Sequence, residues 1–340
     1  MAERDRKIKL GLSIGDPNGV GIEIILKIFQ DKRLYDFFTP IVFANTKLMS
    51  QQRKHFNVTT SLAPYILGKR SSNNQLNIVE VFKASEELSF GQATKEAGTM
   101  AIASLKAATQ ALKTKAIDVL VTAPINKQNI QSEAFQFPGH TNYLAKALGG
   151  ESLMFMVSEK IKVGLLTDHI PVSEVAQAIT PELIKQKVMK MSRSLTLDFG
   201  VQKPKIAVLG INPHTGDNGV IGQEDDTVLR PTLKELYSQG VLVFGPYAAD
   251  SFFGTALPEQ FDAVLASYHD QGLIPFKTLT FGKGVNYTAG LPQVRTSPDH
   301  GTAFDIAGKG EATTDSFKEA MFVAREIFFN RQRETKDKRE

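Results

Sequence analysis

The sequence contains no cysteine. Disulfides, thiolate nucleophiles and cysteine-ligated zinc are therefore excluded together, and any metal must be held by His, Asp or Glu. No run approaches the roughly 18 apolar residues of a membrane helix. The first nine residues are charged (Glu3, Arg4, Asp5, Arg6, Lys7) and lack the apolar stretch of a signal peptide. The expectation is a cytoplasmic protein with no membrane partner. Internal repeats and low-complexity linkers are also missing. The formal net charge is +4, but it is not spread over the body. Residues 1–9 carry four bases and two acids, and residues 331–340 carry five bases and three acids. The tails thus supply +2 each and leave the body neutral, which argues against a nucleic-acid face.

What is present suits a globular enzyme. The chain has 340 residues, 42% hydrophobic and 22% charged, enough for two α/β domains. Ile8 to Ile14 is a short apolar run that ends in Gly15-Asp16-Pro17-Asn18-Gly19, and a helical pattern from Ile22 to Phe29 follows at once. Strand, tight turn and helix open an α/β unit. Ile41 to Ala44, Leu76 to Phe82 and Asp118 to Thr122 read as further strands, the last one buried and parallel because it is apolar without alternation. An alanine-rich helix spans 96–113. Lys162 to Leu166, Ile206 to Leu209, Val241 to Phe244 and Ala263 to Ala266 continue the series, with helices at Pro181 to Leu195 and about Ser316 to Phe329. This alternation predicts doubly wound sheets, with function in loops beyond the carboxyl ends of strands.

Histidine placement is the strongest signal carried by the residues alone. Five of the six, His140, His169, His214, His269 and His300, sit among Gly, Pro, Asp or Asn just after apolar strands. Only His55, in Gln51-Gln52-Arg53-Lys54-His55, reads as a plain surface residue. One such histidine is usually structural, but five imply convergence on one crevice, where at least three could meet. Three neutral imidazoles suit Zn²⁺ or another divalent ion with an open coordination position. The separations are too wide for a zinc finger, so tertiary structure would have to build such a site.

The turn at 15–21 needs glycine for positive φ or close backbone approach, and the following helix start could hold an anion. It is not the dinucleotide fingerprint G-x-G-x-x-G, since its glycines fall at 15, 19 and 21. Pro138-Gly139-His140-Thr141 is the better phosphate candidate, because Thr141 precedes a helical stretch and can present hydroxyl and backbone donors. Asp250 and Asp270 could be further ligands, orienters of the imidazoles, or the general base. The plain alternative for either is a helix N-cap.

Nine segments occur in order between residues 15 and 310: GDPNGVGIE, TAPINK, PGHTNYLA, TDHIPVSEV, NPHTGDNGVIGQED, GPYAADSFF, YHDQGLIPFK, VNYTAGLPQVRTS and DHGTAFDIAGKG. Together they resemble the 4-hydroxythreonine-4-phosphate dehydrogenase family of vitamin B6 biosynthesis, over nearly the whole chain. DHGTAFDIAGKG also resembles the nucleotide-binding loop HGSAPDIAGKG of isocitrate and isopropylmalate dehydrogenases, and GDPNGVG is similar to their GDGIG. The resemblance implies two α/β/α domains of isocitrate/isopropylmalate dehydrogenase-like architecture with an active-site cleft between them. The expected division is residues 1–137 with 274–340, the nucleotide side, and residues 138–273, the metal and dimer side.

It implies residue roles as well. His169, His214 and His269 match the family's three metal ligands, shared across a homodimer, with Zn, Mg or Co as the ion. His140, Thr141, Lys277, Asn286 and Arg295 match substrate-binding positions, and Gly301, Thr302 and Asp305 lie in the loop matched to NAD or NADP. Physical reasoning agrees: a Lewis-acid metal on the C3 oxygen stabilises the developing alkoxide so that hydride can leave, and the resulting ketone, β to the carboxylate, makes decarboxylation easy. The rivals are a paralogue acting on D-threonate or D-erythronate 4-phosphate, and a phosphate acyltransferase on the same fold.

Overall fold

The computed structural model describes residues 6–83, 89–132, 135–137 and 139–337. The charged ends at 1–5 and 338–340, and Pro138 of the Pro-Gly-His-Thr segment, lie outside them. The chain forms two compact units, 1–151 with 291–329 and 152–290 with 330–340.

In the first unit, β1 (Ile8–Ser13), α1 (Gly21–Ile28), β2 (Phe38–Ala44), α2 (Thr46–His55), β3 (Leu62–Pro64), β4 (Leu76–Glu80), α3 (Lys95–Lys113), β5 (Val119–Thr122) and α4 (His140–Leu148) follow in order. They are joined late in the chain by β12 (Arg295–Pro298) and most of α10 (Asp315–Asp337). The strands lie in the order β3-β4-β2-β1-β5-β12, all parallel, with Leu10 opposite Val119 and Arg295 opposite Leu120. Parallel strands covered on both faces need near-continuous apolar runs, and β1 and β5 have them. Ile41, Phe43, Leu112, Leu120, Leu144, Leu148 and Leu291 pack in one cluster. Leu144 and Leu148 belong to α4, which therefore packs in this unit and moves its boundary to 151, against the expected break after 137. Asn45 and Thr94 cap α2 and α3 by accepting from backbone amides two or three residues ahead.

The second unit runs β6 (Leu153–Val157), β7 (Lys162–Leu165), α5 (Val175–Ala178), α6 (Pro181–Leu197), β8 (Ile206–Leu209), α7 (Arg230–Ser238), β9 (Val243–Tyr247), α8 (Ala249–Phe253), β10 (Ala263–Ala266), α9 (His269–Thr280) and β11 (Val285–Ala289). Its strand order is β11-β6-β7-β10-β8-β9. β7, β10, β8 and β9 are parallel, whereas β6 pairs antiparallel with both β7 and β11. The antiparallel pairing falls at this edge, where only four residues join β6 to β7, too few for a crossover helix. Val163, Leu165, Leu209, Val264, Ala266, Phe252 and Phe276 form the core. Beside it a buried polar knot fastens β11: Asp198 accepts from Tyr287 Oη and Ser194 Oγ at 2.6 Å each, and from Arg331 Nε at 2.6 Å.

Candidate active site

β7 and β10 run parallel with Val163 opposite Val264, so their carboxyl ends lie side by side. His169, in the loop after β7, and His269, the first residue of α9, are thereby brought together across the sheet edge. Their ring centroids are 5.6 Å apart, with planes inclined at 55°. Two imidazoles on one tetrahedral zinc ion, with Zn–N near 2.1 Å, place their centroids about 5 Å apart. That spacing leaves room for an ion between the rings. Asp270 Oδ1 lies 2.7 Å from His269 Nδ1. A carboxylate only accepts, so Nδ1 carries the proton and the Nε2 lone pair is left for a metal. Asp168 Oδ1 lies 3.6 Å from His169 Nδ1 and accepts from the His169 amide at 2.6 Å. The His169 ring and then its amide hold that carboxyl at about 2. These groups, with Thr167, Ile170, Val172 and Tyr268, line a cavity of about 230 Å³.

His214 stands in a different kind of segment. From His214 to Gly219 six consecutive residues have positive φ, including a histidine at 52° and a β-branched Thr215 at 56°. Such a run is strained for L-residues and persists only when its surroundings over-determine it. Just before the run the backbone is anchored by Asp225, fully buried, which accepts from Ile211 N at 2.8 Å and Asn212 N at 3.0 Å. Among the described residues no group of three His, Asp or Glu is placed to hold a metal ion. Among the described residues one chain therefore assembles the pair His169–His269 without His214.

Asp250, in the first turn of α8, and Asp270 line a second cavity of about 450 Å³ together with Phe253, Tyr268, Ile274 and Pro275. Neither caps a helix: the N-cap residues are Ala248 and Tyr268, without side-chain bonds. Lys277 is exposed near the end of α9. Asn286, on β11, keeps a buried Oδ1 with no protein hydrogen-bond partner. A buried acceptor of that kind is available to a donor on a ligand.

In the first unit Arg295 is buried on β12 and donates from Nε to Thr122 Oγ1 at 3.1 Å. Burial pushes its guanidinium down to about 9, so it stays cationic at neutral pH. His140 opens α4 without a side-chain cap on the helix. Burial first, and then the charges of Arg295 and Lys127, press its pKa well below 6.5. Its Nε2 is buried with no partner. A neutral imidazole and a half-buried Thr141 at a nine-residue helix start, beside two cations, form an environment suited to an anion. Lys127 ends the Thr-Ala-Pro-Ile-Asn-Lys segment. It was not singled out in the sequence because an exposed lysine carries no local signature.

The opening turn and the loop after β12 meet in the same unit. Val20 N donates to Thr302 O at 3.1 Å. A Cβ on Gly21 would lie 2.3 Å from Ile14 O, so only glycine fits there. In the loop, Gly301 is exposed with nothing within 4 Å of a would-be Cβ, Thr302 is half-buried, and Asp305 is exposed. Open backbone followed by a free carboxylate suits phosphate and ribose hydroxyls. His300 turns its Nδ1 to Gly301 O at 2.9 Å. His55, expected to be a plain surface residue, reaches this loop: its Nε2 lies 2.7 Å from Gly308 O.

The sequence profile described as "Pyridoxal phosphate biosynthetic protein PdxA" matches residues 36–324. A protein of Bacteroides thetaiotaomicron named 4-hydroxythreonine-4-phosphate dehydrogenase is 47% identical over 332 residues, covering 97% of this chain and 91% of that one. A protein of Oceanobacillus iheyensis named putative D-threonate 4-phosphate dehydrogenase is 37% identical, covering 95% and 98%. The crystal structure of 4-hydroxythreonine-4-phosphate dehydrogenase from Klebsiella pneumoniae superposes with a TM-score of 0.82 at 31% identity, over 96% of this chain and 99% of that one.

Proposed function

The chain belongs to the PdxA family of pyridoxal phosphate biosynthetic proteins and is an oxidoreductase, and from that premise we propose that it oxidises 4-phosphohydroxy-L-threonine at C3. The products are 3-amino-2-oxopropyl phosphate and CO₂, made in the cytoplasm for vitamin B6 biosynthesis. NAD or NADP, when bound at Gly301, Thr302 and Asp305, supplies the hydride acceptor, and a divalent ion at the histidines supplies Lewis acidity. The observation that carries the reading is the His169–His269 pair backed by Asp270.

The chain's own groups divide the work. His140 and Thr141 bind the phosphate, with Arg295 and Lys127 supplying positive charge. Lys277 and Asn286 hold the remaining polar groups of the substrate, Asn286 by accepting at its vacant Oδ1. Asp270 orients His269, and either Asp270 or Asp250 takes the hydroxyl proton. Once the C3 alcohol is a ketone, the carboxylate β to it leaves as CO₂ and its electron pair passes into the carbonyl.

The third imidazole, His214, comes from a second copy of the chain in a homodimer. Exposed apolar side chains follow each histidine closely: Val172 after His169, Val220 and Ile221 after His214, Ile274 and Leu279 after His269. Apolar surface concentrated in this way favours burial against another subunit.

A second reading is oxidation of D-threonate or D-erythronate 4-phosphate, of which the first is favoured by the Oceanobacillus relative. Steady-state NADH or NADPH formation with the three phosphorylated acids, with and without divalent metal, separates the two. The proposal expects phosphohydroxythreonine to give the highest kcat/KM and a chelator to abolish turnover. A higher kcat/KM on either hydroxy acid overturns it.

A further inference from the structure

The contact between His55 and Gly308 extends the cofactor loop to a surface that no motif marks. His55 is the last residue of α2 and is exposed. Its Nε2 lies 2.7 Å from the Gly308 carbonyl. A carbonyl only accepts, so the ring donates from Nε2. The imidazole also lies over Phe90, with centroids 4.8 Å apart and planes at 33°, and meets Phe56 edge-on at 4.8 Å and 86°. Phe90 in turn supports the loop: a Cβ on Gly308 would lie 2.7 Å from its ring, and Gly308 has φ +80°. Two and four residues beyond Gly308 the loop is also tied by Lys27, whose Nζ donates to Gly310 O at 2.7 Å and to Ala312 O at 3.1 Å. Glu23, fully buried, accepts from Lys27 Nζ and from Ala312 N.

A loop already held at Thr302 by Val20 N and at Gly310 and Ala312 by Lys27 needs no aromatic group for anchorage, and any donor on α2 would serve Gly308. Three rings at an exposed edge, one of them a flat face backed by another ring, add a stacking surface. We propose that His55, supported by Phe90, is the shelf on which the adenine base of the dinucleotide stacks. The Nε2–H bond to Gly308 fixes the angle of that shelf to the loop. The inference rests on the reading that Gly301, Thr302 and Asp305 bind the dinucleotide. It adds a residue and a subsite to that reading, and it explains why an exposed histidine reaches a carbonyl 253 positions away.

The test is equilibrium binding by calorimetry, with NAD⁺, ADP-ribose and nicotinamide mononucleotide as probes. The proteins are wild type, His55→Ala, His55→Phe, His55→Gln and Asp305→Ala, each checked for an unchanged melting temperature. Stacking a base on an aromatic face is worth a roughly tenfold change in affinity or more. His55→Ala is therefore expected to weaken NAD⁺ and ADP-ribose about tenfold and to leave the mononucleotide, which has no adenine, unaffected. His55→Phe retains most of the affinity because the ring remains, and His55→Gln behaves like alanine because a donor alone is not enough. Glutamine at wild-type affinity overturns the shelf and leaves a loop anchor. ADP-ribose affinity lowered by Asp305→Ala but untouched by His55→Ala also overturns the shelf and spares the loop assignment. A wild-type protein that binds neither NAD⁺ nor ADP-ribose overturns both.

Discussion

His169 and His269 stand with ring centroids 5.6 Å apart, one in the loop after β7 and the other opening α9 after β10. Parallel pairing of those two strands makes them neighbours, and Asp270 fixes the tautomer of the second ring from 2.7 Å. Replacing Asp270 with Asn lets an amide donate to Nδ1, which moves the ring proton to Nε2 and blocks the lone pair that a metal needs. Asp270→Asn is expected to lower metal affinity about 10- to 100-fold. Excess metal should restore much of kcat if Asp270 orients His269. A kcat that stays low at saturating metal assigns Asp270 as the base instead. Metal titration with and without competing chelator makes the measurement.

Asp225 anchors the segment that leads into the other histidine. Its buried carboxylate accepts from the amides of Ile211 and Asn212 and from Asn212 Nδ2 at 3.1 Å, just before the left-handed run that carries His214. Asp225→Ala strands two backbone donors and should cost about 2–4 kcal/mol of stability. Asp225→Asn should cost less, because one oxygen can still accept. Urea unfolding provides the comparison, and a loss below about 0.5 kcal/mol would show that the turn is held by other means.

Much of this arrangement was legible in the sequence, and the exceptions have physical causes. β1, β2, β5, β8 and β10 are apolar and fully or almost fully buried, so composition alone marks them. β12 reads Arg-Thr-Ser-Pro, yet all four residues are buried, and no apolar run announces it. β11 carries Tyr287, whose buried hydroxyl bonds to Asp198 and Arg331 far along the chain. Of the five histidines among Gly, Pro, Asp and Asn, the structure brings His169 and His269 together, and two, His140 and His269, begin helices instead of lying in loops. His55 gave no such signal. Its partner is a backbone carbonyl, identical at every residue type, and lies far along the chain.

His140, whose Nε2 is buried, makes stability depend on pH in a definite direction. Burial, and then Arg295 and Lys127, hold its folded-state pKa well below 6.5. In the unfolded chain it takes up a proton near its ordinary value of about 6.5. Between those values the unfolded state binds the extra proton, so stability is present above about pH 6.5 and is lost as pH falls. The slope for this one group approaches about 1.4 kcal/mol per pH unit. Thermal melts from about pH 8 to pH 5 should therefore fall more steeply for the wild type than for His140→Gln. Parallel curves would remove His140 as the source.

The division of ligands between chains is open to a complementation test, and the geometry dictates which pair of variants to mix. His169 and His269 belong to the same chain's pair, and His214 does not join them within one chain. If the partner supplies His214, each site combines one chain's pair with the other chain's His214. His214→Ala and His269→Ala proteins are each expected to be inactive. After mixing and subunit exchange, a heterodimer holds one site with an intact pair and an intact His214, while its other site carries both lesions. Random exchange makes half the dimers hybrid, so activity should return to about a quarter of the wild-type value. Mixing His169→Ala with His269→Ala is the control. Both lesions then fall in the pair, every site keeps one, and no activity returns. Recovery in that control would mean that the pair is split between chains in the working enzyme. No recovery in either mixture, with exchange verified by native mass spectrometry, would mean that each chain carries its own complete set and that dimerisation serves another purpose.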